Sequence, residues 1–298
     1  MRTRPTLTWE PTGAPLRASS DLTTIVEAVR AGKVAVLSGA GLSTESGIPD
    51  YRGERGSLRR RHLPMTFQEF TGEEQARQRY WARSQMGWRA MTKARPNAGH
   101  RAVAELAEAG LVTGVITQNV DGLHQAAGAR DVIELHGSLS RVICLGCRRL
   151  SDRAELDHRL RQANPRFEAT AERHRAARVN PDGDVELPTE AVREFRVVEC
   201  TACDTGVLKP DVVFFGENVP PERVEQCRRL VAGSAALLVL GSSLTVMSGL
   251  RFVRQAAQAG LPVLIINQGP TRGDRWAAQR IELPLGEAMT AVVAQVQA

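Results

Sequence analysis

The sequence predicts an α/β chain built around a doubly wound, mostly parallel sheet, and three observations carry that prediction. Short apolar runs of strand length recur at 33–37, 112–117, 132–135, 211–215, 236–240 and 263–267, with 281–283 as a seventh. Runs that are apolar throughout, without alternation, suit strands covered on both faces. Stretches with helical spacing stand between most of them, as parallel crossovers require. Polar clusters follow the runs, at 39–43, 118–121, 241–243 and 267–269, with His136 at the end of a fifth. Ligands of open parallel sheets bind at those carboxyl ends.

Taken in order, residues 1–20 carry arginines and three prolines, Pro5, Pro11 and Pro15, with no apolar core segment. They read as a mobile arm and not as a secretory leader. Asp21 can cap a helix over 23–31 that Gly32 ends. The first strand and a glycine turn follow. Residues 54–96, rich in Arg, Gln, Trp and Met, read as an inserted helical module of short helices and loops. Pro96 and Asn97 open a helix over 100–109, stopped by Gly110. Residues 138–206 are polar and read as irregular chain around four cysteines. Helices are expected over 221–231, 246–259 and from Glu287 onward. The expected division is an arm at 1–20, a sheet domain from 21–53, 97–138 and 207–298, a helical insertion at 54–96 and a cysteine module at 139–206.

The 298 residues are 42% hydrophobic and 24% charged, which fits a folded globular chain. No apolar run approaches the ~20 residues that span a bilayer, so no membrane association is expected. The net charge is +6, almost all from arginine, since Lys33, Lys93 and Lys209 are the only lysines. That suits acidic ligands without indicating nucleic acid. A monomer is expected. The location expected is cytoplasmic, or the mitochondrial matrix should the arm act as a presequence.

The glycine turn carries the first chemistry. In 38–53, SGAGLSTESGIPDYRG, Gly39 and Gly41 allow the backbone a tight turn and close approach to a ligand. Successive N–H groups ahead of a helix N-terminus favour a phosphate. Ser43, Thr44 and Ser46 add hydroxyls, and Arg52 adds a fork for pyrophosphate oxygens. The dinucleotide fingerprint of Rossmann-like sheets is incomplete, because Thr44 stands where its third glycine belongs. The cysteines form two C-x-x-C pairs, Cys144 with Cys147 and Cys200 with Cys203. Two such pairs bring four thiolates to one tetrahedral zinc with no open position, which makes the zinc structural. Cys227 reads as a plain thiol. His136, at a strand end, is placed as a general base. His100 and His124 read as structural, and His62, His158 and His174 as exposed.

These residues match a family. The motifs G-A-G-x-S-x-x-S-G-I-P-D-Y-R, T-Q-N-V-D-G-L-H, E-L-H-G-S, the two C-x-x-C pairs, K-P-D-V-V-F-F-G-E, G-S-S and the late I-N together resemble a sirtuin. They lie in family order across 33–285. The 181–185 run, P-D-G-D-V, resembles the class II branch. The resemblance implies an NAD-dependent protein lysine deacylase, which transfers the acyl group from lysine to ADP-ribose and releases nicotinamide. It implies NAD as cosubstrate, structural zinc, and acylated-lysine proteins or peptides as partners. Ala40, Gly41, Arg52 and Ser242 would hold the pyrophosphate, and Asn267 the adenosine ribose. Gln118 and Asn119 would hold the nicotinamide ribose, with Asn119 counted beside His136 as catalytic. Ile48 and Asp121 would line the nicotinamide pocket, and Tyr51 would cover the reactive sugar where many relatives have Phe. Gly39, Ser43, Asp50, Gly241, Ser243, Gly269 and Leu285 complete the implied cofactor site. Val213 and Phe215 would hold the acyl-lysine, and 216–219, with Gly216, Glu217 and Val219, would pair with the peptide backbone as an added strand.

Tyr80 and Arg83, three apart on an expected helix, share a face. Some sirtuins bind the distal carboxylate of an acidic acyl group with such a pair. The class II branch also handles bulky uncharged acyl groups with a similar segment. The alternatives to deacylation are mono-ADP-ribosyl transfer from the same cofactor and a non-enzymatic NAD-sensing module. The presence of His136, Asn119 and Asp121 argues against the last.

Overall fold

Two sheets organise the chain, which a computed structural model describes over residues 18–53, 56, 64–172, 180–203 and 206–298. The larger has six parallel strands: β1 (Val34–Ser38), β2 (Val112–Thr117), β3 (Val132–Glu134), β7 (Ala236–Leu240), β8 (Val263–Ile266) and β9 (Gln279–Ile281). Their spatial order is β3-β2-β1-β7-β8-β9. From central β1 the chain winds outward through β2 and β3, then returns to lay β7, β8 and β9 on the other side. The switch point therefore lies between the carboxyl ends of β1 and β7, where a parallel sheet opens its ligand crevice. Register there is regular, with Leu37 beside Ile116 on one side and Val239 on the other.

Alternation along each strand feeds two cores. Val34 and Val36 of β1 face Ile25, Val29, Val103, Leu106, Met289 and Val292 from helices Thr23–Ala31, Ala98–Glu108 and Leu285–Gln297. Ala35 and Leu37 face Val224, Val231, Phe252 and Val253 from helices Pro221–Ala232 and Met247–Gln258. Every residue of β1, β7 and β8 is buried, which explains why these strands read as unbroken apolar runs. Asp21 stands one residue ahead of the capping position, which is Leu22 with no side-chain cap; the Asp21 carboxylate accepts from the Thr23 N–H at 2.9 Å. Asn97 caps helix Ala98–Glu108, and His100, within its first turn, completes the capping box, so the helix starts two residues before the expected 100.

The smaller sheet corrects two expectations. The run at 211–215 is not a fourth parallel strand. The strand is β6 (Leu208–Val212), antiparallel to β4 (Gly137–Cys144), which also pairs with β5 (Leu150–Asp152). Lys209 and Asp211, the polar residues within this strand, are buried and ion-paired. Nor is 138–206 irregular, since it holds β4, β5 and helices Arg153–Ala163, Phe167–Glu172 and Thr189–Val192. In 54–96 the described helices are Phe67–Gly72 and one long helix, Glu74–Met91. A third apolar cluster joins these helices to the small sheet, through Phe70, Tyr80 and Trp81 against Leu139, Val142, Leu208 and Phe214. Gly87 lets the long helix touch the 180–184 turn, because a Cβ there would lie 2.3 Å from the Gly183 carbonyl oxygen.

Ser19 bridges to Ile281 beyond β9, while the rest of the arm, residues 1–17, lies outside the described residues, as do His62 and His174. His158 is exposed as expected. No helix among the described residues is long and apolar enough to cross a membrane.

Candidate active site

The glycine turn leaves β1 at the switch point and packs directly on the end of β7. The Gly39 N–H donates to the Leu240 carbonyl, and the Gly41 N–H to the Gly241 carbonyl, both at 2.9 Å. A Cβ on Gly41 would stand 2.9 Å from the Gly241 oxygen, so the two backbones meet only where side chains are missing. The segment Ala40–Ser46 is a tight 3₁₀ turn with Ser43 buried. Leu285 opens the last helix beside it, and the Gly286 N–H donates to Glu45 at 2.9 Å.

The end of β2 fills the crevice from the other side. Gln118 donates from Nε2 to Ser242 Oγ at 2.9 Å and to the Ser38 carbonyl at 3.2 Å. Asn119 donates from Nδ2 to the Gly39 carbonyl and to Ser43 Oγ, both at 3.0 Å. Ser43 in turn donates to Asp121 at 2.7 Å. Burial raises the Asp121 carboxyl above its usual range, with the Leu123 N–H and Ser43 opposing that rise. Behind these groups, His124 Nε2 lies 2.9 Å from Ser38 Oγ, and the His124 and His100 rings meet edge to face at 5.1 Å. Both are core histidines held neutral by burial, His100 at about 4 and His124 at about 3. Asn267, after β8, turns its amide onto the Gln268 and Gly269 carbonyls at 3.0 and 2.9 Å. Ser243 shares a hydrogen bond with Thr245 at 3.1 Å.

His136 stands between β3 and β4, at the seam of the two sheets. Its Nδ1 lies 2.9 Å from the Gln118 carbonyl and its Nε2 2.8 Å from Ser248 Oγ. Burial pulls its pKa down to about 4, the Gln118 carbonyl opposing and Arg223 adding to the fall. Next to it Gly137 has φ +83°, and a Cβ there would sit 1.9 Å from the Asp211 carbonyl oxygen. Asp211 itself pairs with Arg141 at 3.0 Å and Arg223 at 2.9 Å, and Arg141 reaches Glu134 at 2.7 Å. Sequence reasoning missed this brace and Ser248, because neither an Arg–Asp pair split over 70 residues nor a lone serine has a sequence signature.

The 213–217 loop is shaped from within. The Val213 N–H donates to the His136 carbonyl at 2.8 Å, and the Phe67 N–H to the Phe215 carbonyl at 2.9 Å. Glu217 accepts from the Phe214 N–H at 2.8 Å and pairs with buried Lys209 at 3.0 Å. Its carboxylate thus braces the loop. Gly216, φ +80°, makes the turn, and Val219 is partly buried against the neighbouring helix core. Tyr51 meets Phe215 edge to face at 6.0 Å. Ile48 is buried, Asp50 accepts from the Gly53 N–H at 3.0 Å, and burial lowers the Arg52 pKa while Tyr51 and Asp50 offset part of that fall. Tyr80 is buried among Phe70, Trp81 and Phe214, and Arg83 follows one turn later. Desolvation raises the Tyr80 hydroxyl pKa, and the nearby carboxylates Asp182 and Asp184 raise it further.

The four cysteines meet as the spacing predicts, their sulfurs all within 4.8 Å of one another. Cys144 and Cys203 are 3.7 Å apart and Cys147 and Cys200 3.8 Å. A tetrahedron with Zn–S bonds of ~2.3 Å has edges of about 3.8 Å, so the cluster fits zinc. Burial pushes the Cys144 thiol up, but the N–H groups of Cys147 and Gly146 and the neighbouring thiols outweigh it and bring it to about 7. Cys227 is apart from them, buried, and pushed up to about 12.

A family model described as the Sir2 family matches residues 39–248. The chain belongs to the Sir2 family. A relative named NAD-dependent protein deacetylase 1, from Streptomyces coelicolor, is 65% identical over 98% of this chain and 95% of its own. A protein of the same name from Mycobacterium avium is 53% identical over 86% of this chain and 89% of its own. Among solved structures, one described as Sir2 with a p53 peptide and NAD⁺ is 26% identical, with a TM-score of 0.69, covering 92% of this chain and 98% of that one. Another, from work on the mechanism and regulation of Sir2 enzymes, is 31% identical with a TM-score of 0.69 over 93% and 97% of the two chains. In this Sir2-family chain the family match spans the glycine turn, the β2 end, His136, all four cysteines and Ser248.

Two predictions follow from the buried groups. Each of His100, His124 and His136 has a folded pKa below the unfolded ~6.5, so the unfolded chain binds more protons between about 4 and 6.5. Stability rises with pH wherever that holds, so it is full above about 6.5 and is lost as pH falls toward 4. Asp121, shifted the other way, opposes the loss at its lower end. Urea denaturation from pH 7.5 to 4.5 should show falling stability, and a flat profile would refute it. Metal analysis should find one zinc per chain, and Cys200→Ala should lose it and several degrees of Tm, since metal binding there is folding energy. Full stability without zinc would refute that assignment.

Proposed function

We propose that this chain is an NAD-dependent protein lysine deacylase that moves the acyl group of an acylated lysine onto ADP-ribose and releases nicotinamide. One observation carries the reading: His136, Gln118, Asn119, Asp121, Ser242 and the glycine turn converge at the switch point of a Sir2-family sheet. The 65% identical relative bearing the name deacetylase supports it.

In this reading NAD⁺, when bound, supplies a sugar carbon bearing a cationic leaving group. The protein's residues position and deprotonate. The Ala40 N–H, with Arg52 and the Ser242 hydroxyl, holds the pyrophosphate over Gly41, whose own N–H is taken by the Gly241 carbonyl, and Gly39, Ser43, Gly241 and Ser243 shape the walls. Asn267, Gly269 and Leu285 take the adenosine end. Gln118 and Asn119 fix the nicotinamide ribose, Ile48, Asp50 and Asp121 the nicotinamide, and Tyr51 closes over the sugar. His136 accepts a proton from a ribose hydroxyl at Nε2. With a pKa near 4 it is unprotonated throughout the neutral range, so this base imposes a loss of activity only toward pH 4. Val213 and Phe215 grip the acyl-lysine, and 216–219 lend an edge to the peptide backbone. Zinc on Cys144, Cys147, Cys200 and Cys203 is structural. The division of labour we propose is a cofactor domain of 21–53, 97–138 and 207–298 served by the helical and cysteine modules.

The test is turnover of NAD⁺ and an acetyl-lysine peptide, followed by mass spectrometry. Acetyl-ADP-ribose is expected. A peptide or protein heavier by ADP-ribose would point to transfer instead, and no product at all would overturn the reading. His136→Ala should lower turnover by ~10²–10⁴-fold with NAD⁺ binding retained.

Acyl choice follows from charge. A pair such as Tyr80 and Arg83 could grip an acidic acyl group through the guanidinium fork. Against that, the 180–184 turn brings Asp182 and Asp184 toward the Tyr80 hydroxyl, with Asp184 itself buried and held by Asn180 at 2.7 Å. The Arg153 guanidinium also acts on that hydroxyl, so the two carboxylates balance Arg83 and Arg153 and leave no net positive charge to repay the desolvation of an acidic acyl group. Acetyl-lysine should therefore outrun succinyl- and glutaryl-lysine, and Arg83→Met should leave acetyl turnover within about twofold. Preferred turnover of the acidic peptides by the wild type would reverse this reading.

A further inference from the structure

His136 touches two groups, and together they fix its proton. The Gln118 carbonyl, 2.9 Å from Nδ1, can only accept, so Nδ1 carries the hydrogen. In the neutral ring Nε2 then presents its lone pair. Ser248 Oγ lies 2.8 Å from that nitrogen, so its hydroxyl must donate to it.

Ser248 is held in place by more than this bond. It is the second residue of helix Met247–Gln258, whose first turn presses on Gln118: a Cβ on the next residue, Gly249, would lie 2.6 Å from Gln118 Oε1. The same Gln118 side chain donates to Ser242. Gln118, His136 and Ser248 therefore form one frame, with Gln118 gripping the ring at Nδ1 and bearing on the helix that carries Ser248. The charged group acting on the ring is Arg223, from helix Pro221–Ala232, which is itself paired with Asp211.

We propose that Ser248 is a positioning residue for the general base: it donates to Nε2 of the neutral ring and accepts from Nε2–H once the ring has taken the substrate proton. The proposal rests on the deacylase reading. In the proton transfer the ribose O–H bond breaks, a new N–H bond forms at Nε2, and the electron pair stays on the ribose oxygen. A hydroxyl is both donor and acceptor. By rotating its hydrogen away, Ser248 frees the lone pair for the ribose hydroxyl and then receives the new N–H. The ring keeps one orientation through both protonation states.

The test compares wild type, Ser248→Ala and Ser248→Thr. Long-range ¹H–¹⁵N NMR of the ligand-free protein should show the Nδ1–H tautomer in wild type. In Ser248→Ala the Nε2 signal should move toward that of an unbonded lone pair, and in Ser248→Thr it should return. With NAD⁺ and acetyl-lysine peptide, Ser248→Ala should lower kcat about tenfold, the size of one hydrogen bond of ~1.4 kcal/mol. KM for both substrates should stay within about twofold, and the threonine should restore kcat. An unmoved Nε2 signal overturns the proposal, as does an unchanged kcat or a loss the threonine does not rescue. If wild type itself makes no acetyl-ADP-ribose, the deacylase reading has failed, and the NMR comparison still decides whether Ser248 holds the ring.

Discussion

The close approach of two backbones at the sheet's switch point is the constraint on which the site depends. β1 and β7 are neighbours, and the chain leaving each must turn within one residue of its last sheet hydrogen bond. The bonds from Gly39 to Leu240 and from Gly41 to Gly241 zip the two turns together. Any side chain at 39, 41 or 241 would meet backbone or the Ser242 side chain at 2.4–2.9 Å. This packing, before any ligand, demands glycine there. It also explains how a chain lacking the third fingerprint glycine can still form the crevice. Thr44 lies past the crossing point, where its hydroxyl turns back to the Gly41 carbonyl at 2.9 Å.

A second junction ties the crevice to the smaller sheet. β3 ends in the large sheet and β4 begins in the small one, with Leu135 and His136 between them. Glycine at 137 lets the chain reverse against Asp211, and Arg141 and Arg223 clamp Asp211 from both sides. A buried carboxylate costs several kcal/mol unless paired and hydrogen-bonded, and this one has two guanidinium partners. The pairing therefore favours one relative placement of the two sheets, and it is that placement which sets His136 against Gln118.

Much of this was legible in the sequence, and the boundary has physical causes. Strands β2 and β7 could be read to the residue, because β7 is apolar throughout and fully buried and the threonines of β2 are β-branched strand formers. The cysteine cluster was legible because C-x-x-C imposes its geometry locally. β4 was missed because Ser138, Ser140 and Arg141 interrupt its apolar positions; Ser138 is buried against Ser140 at 2.9 Å, a pairing that composition does not reveal. β6 was placed three residues late and in the wrong sheet because Lys209 and Pro210 break up its start and its antiparallel partner β4 has no apolar run to reveal it. Within the site, residues in contiguous motifs could be named, whereas Ser248, Arg141 and Arg223 could not. Their importance comes from what they meet across the fold.

The same logic explains why a four-cysteine cluster remote from the crevice bears on it. Helix Glu74–Met91 has a weak claim to stability alone, since its buried stripe includes Ser84, Gln85 and Gly87. It is held from the side. Trp81 donates to the Leu208 carbonyl at 3.1 Å, and the Arg153 guanidinium lies between the Trp81 and Trp88 rings at 5.3 and 5.2 Å. Leu208 pairs with Cys144 in the small sheet, and Arg153 begins the helix that follows β5. Both anchors therefore issue from strands that the cysteines fasten. Tyr80, on the same helix, packs on Phe214, one residue from the 215–217 turn. Cysteine geometry thus reaches the 213–217 loop through two tryptophans and a phenylalanine, by ring packing, the Trp81 hydrogen bond and the Arg153 guanidinium between the rings.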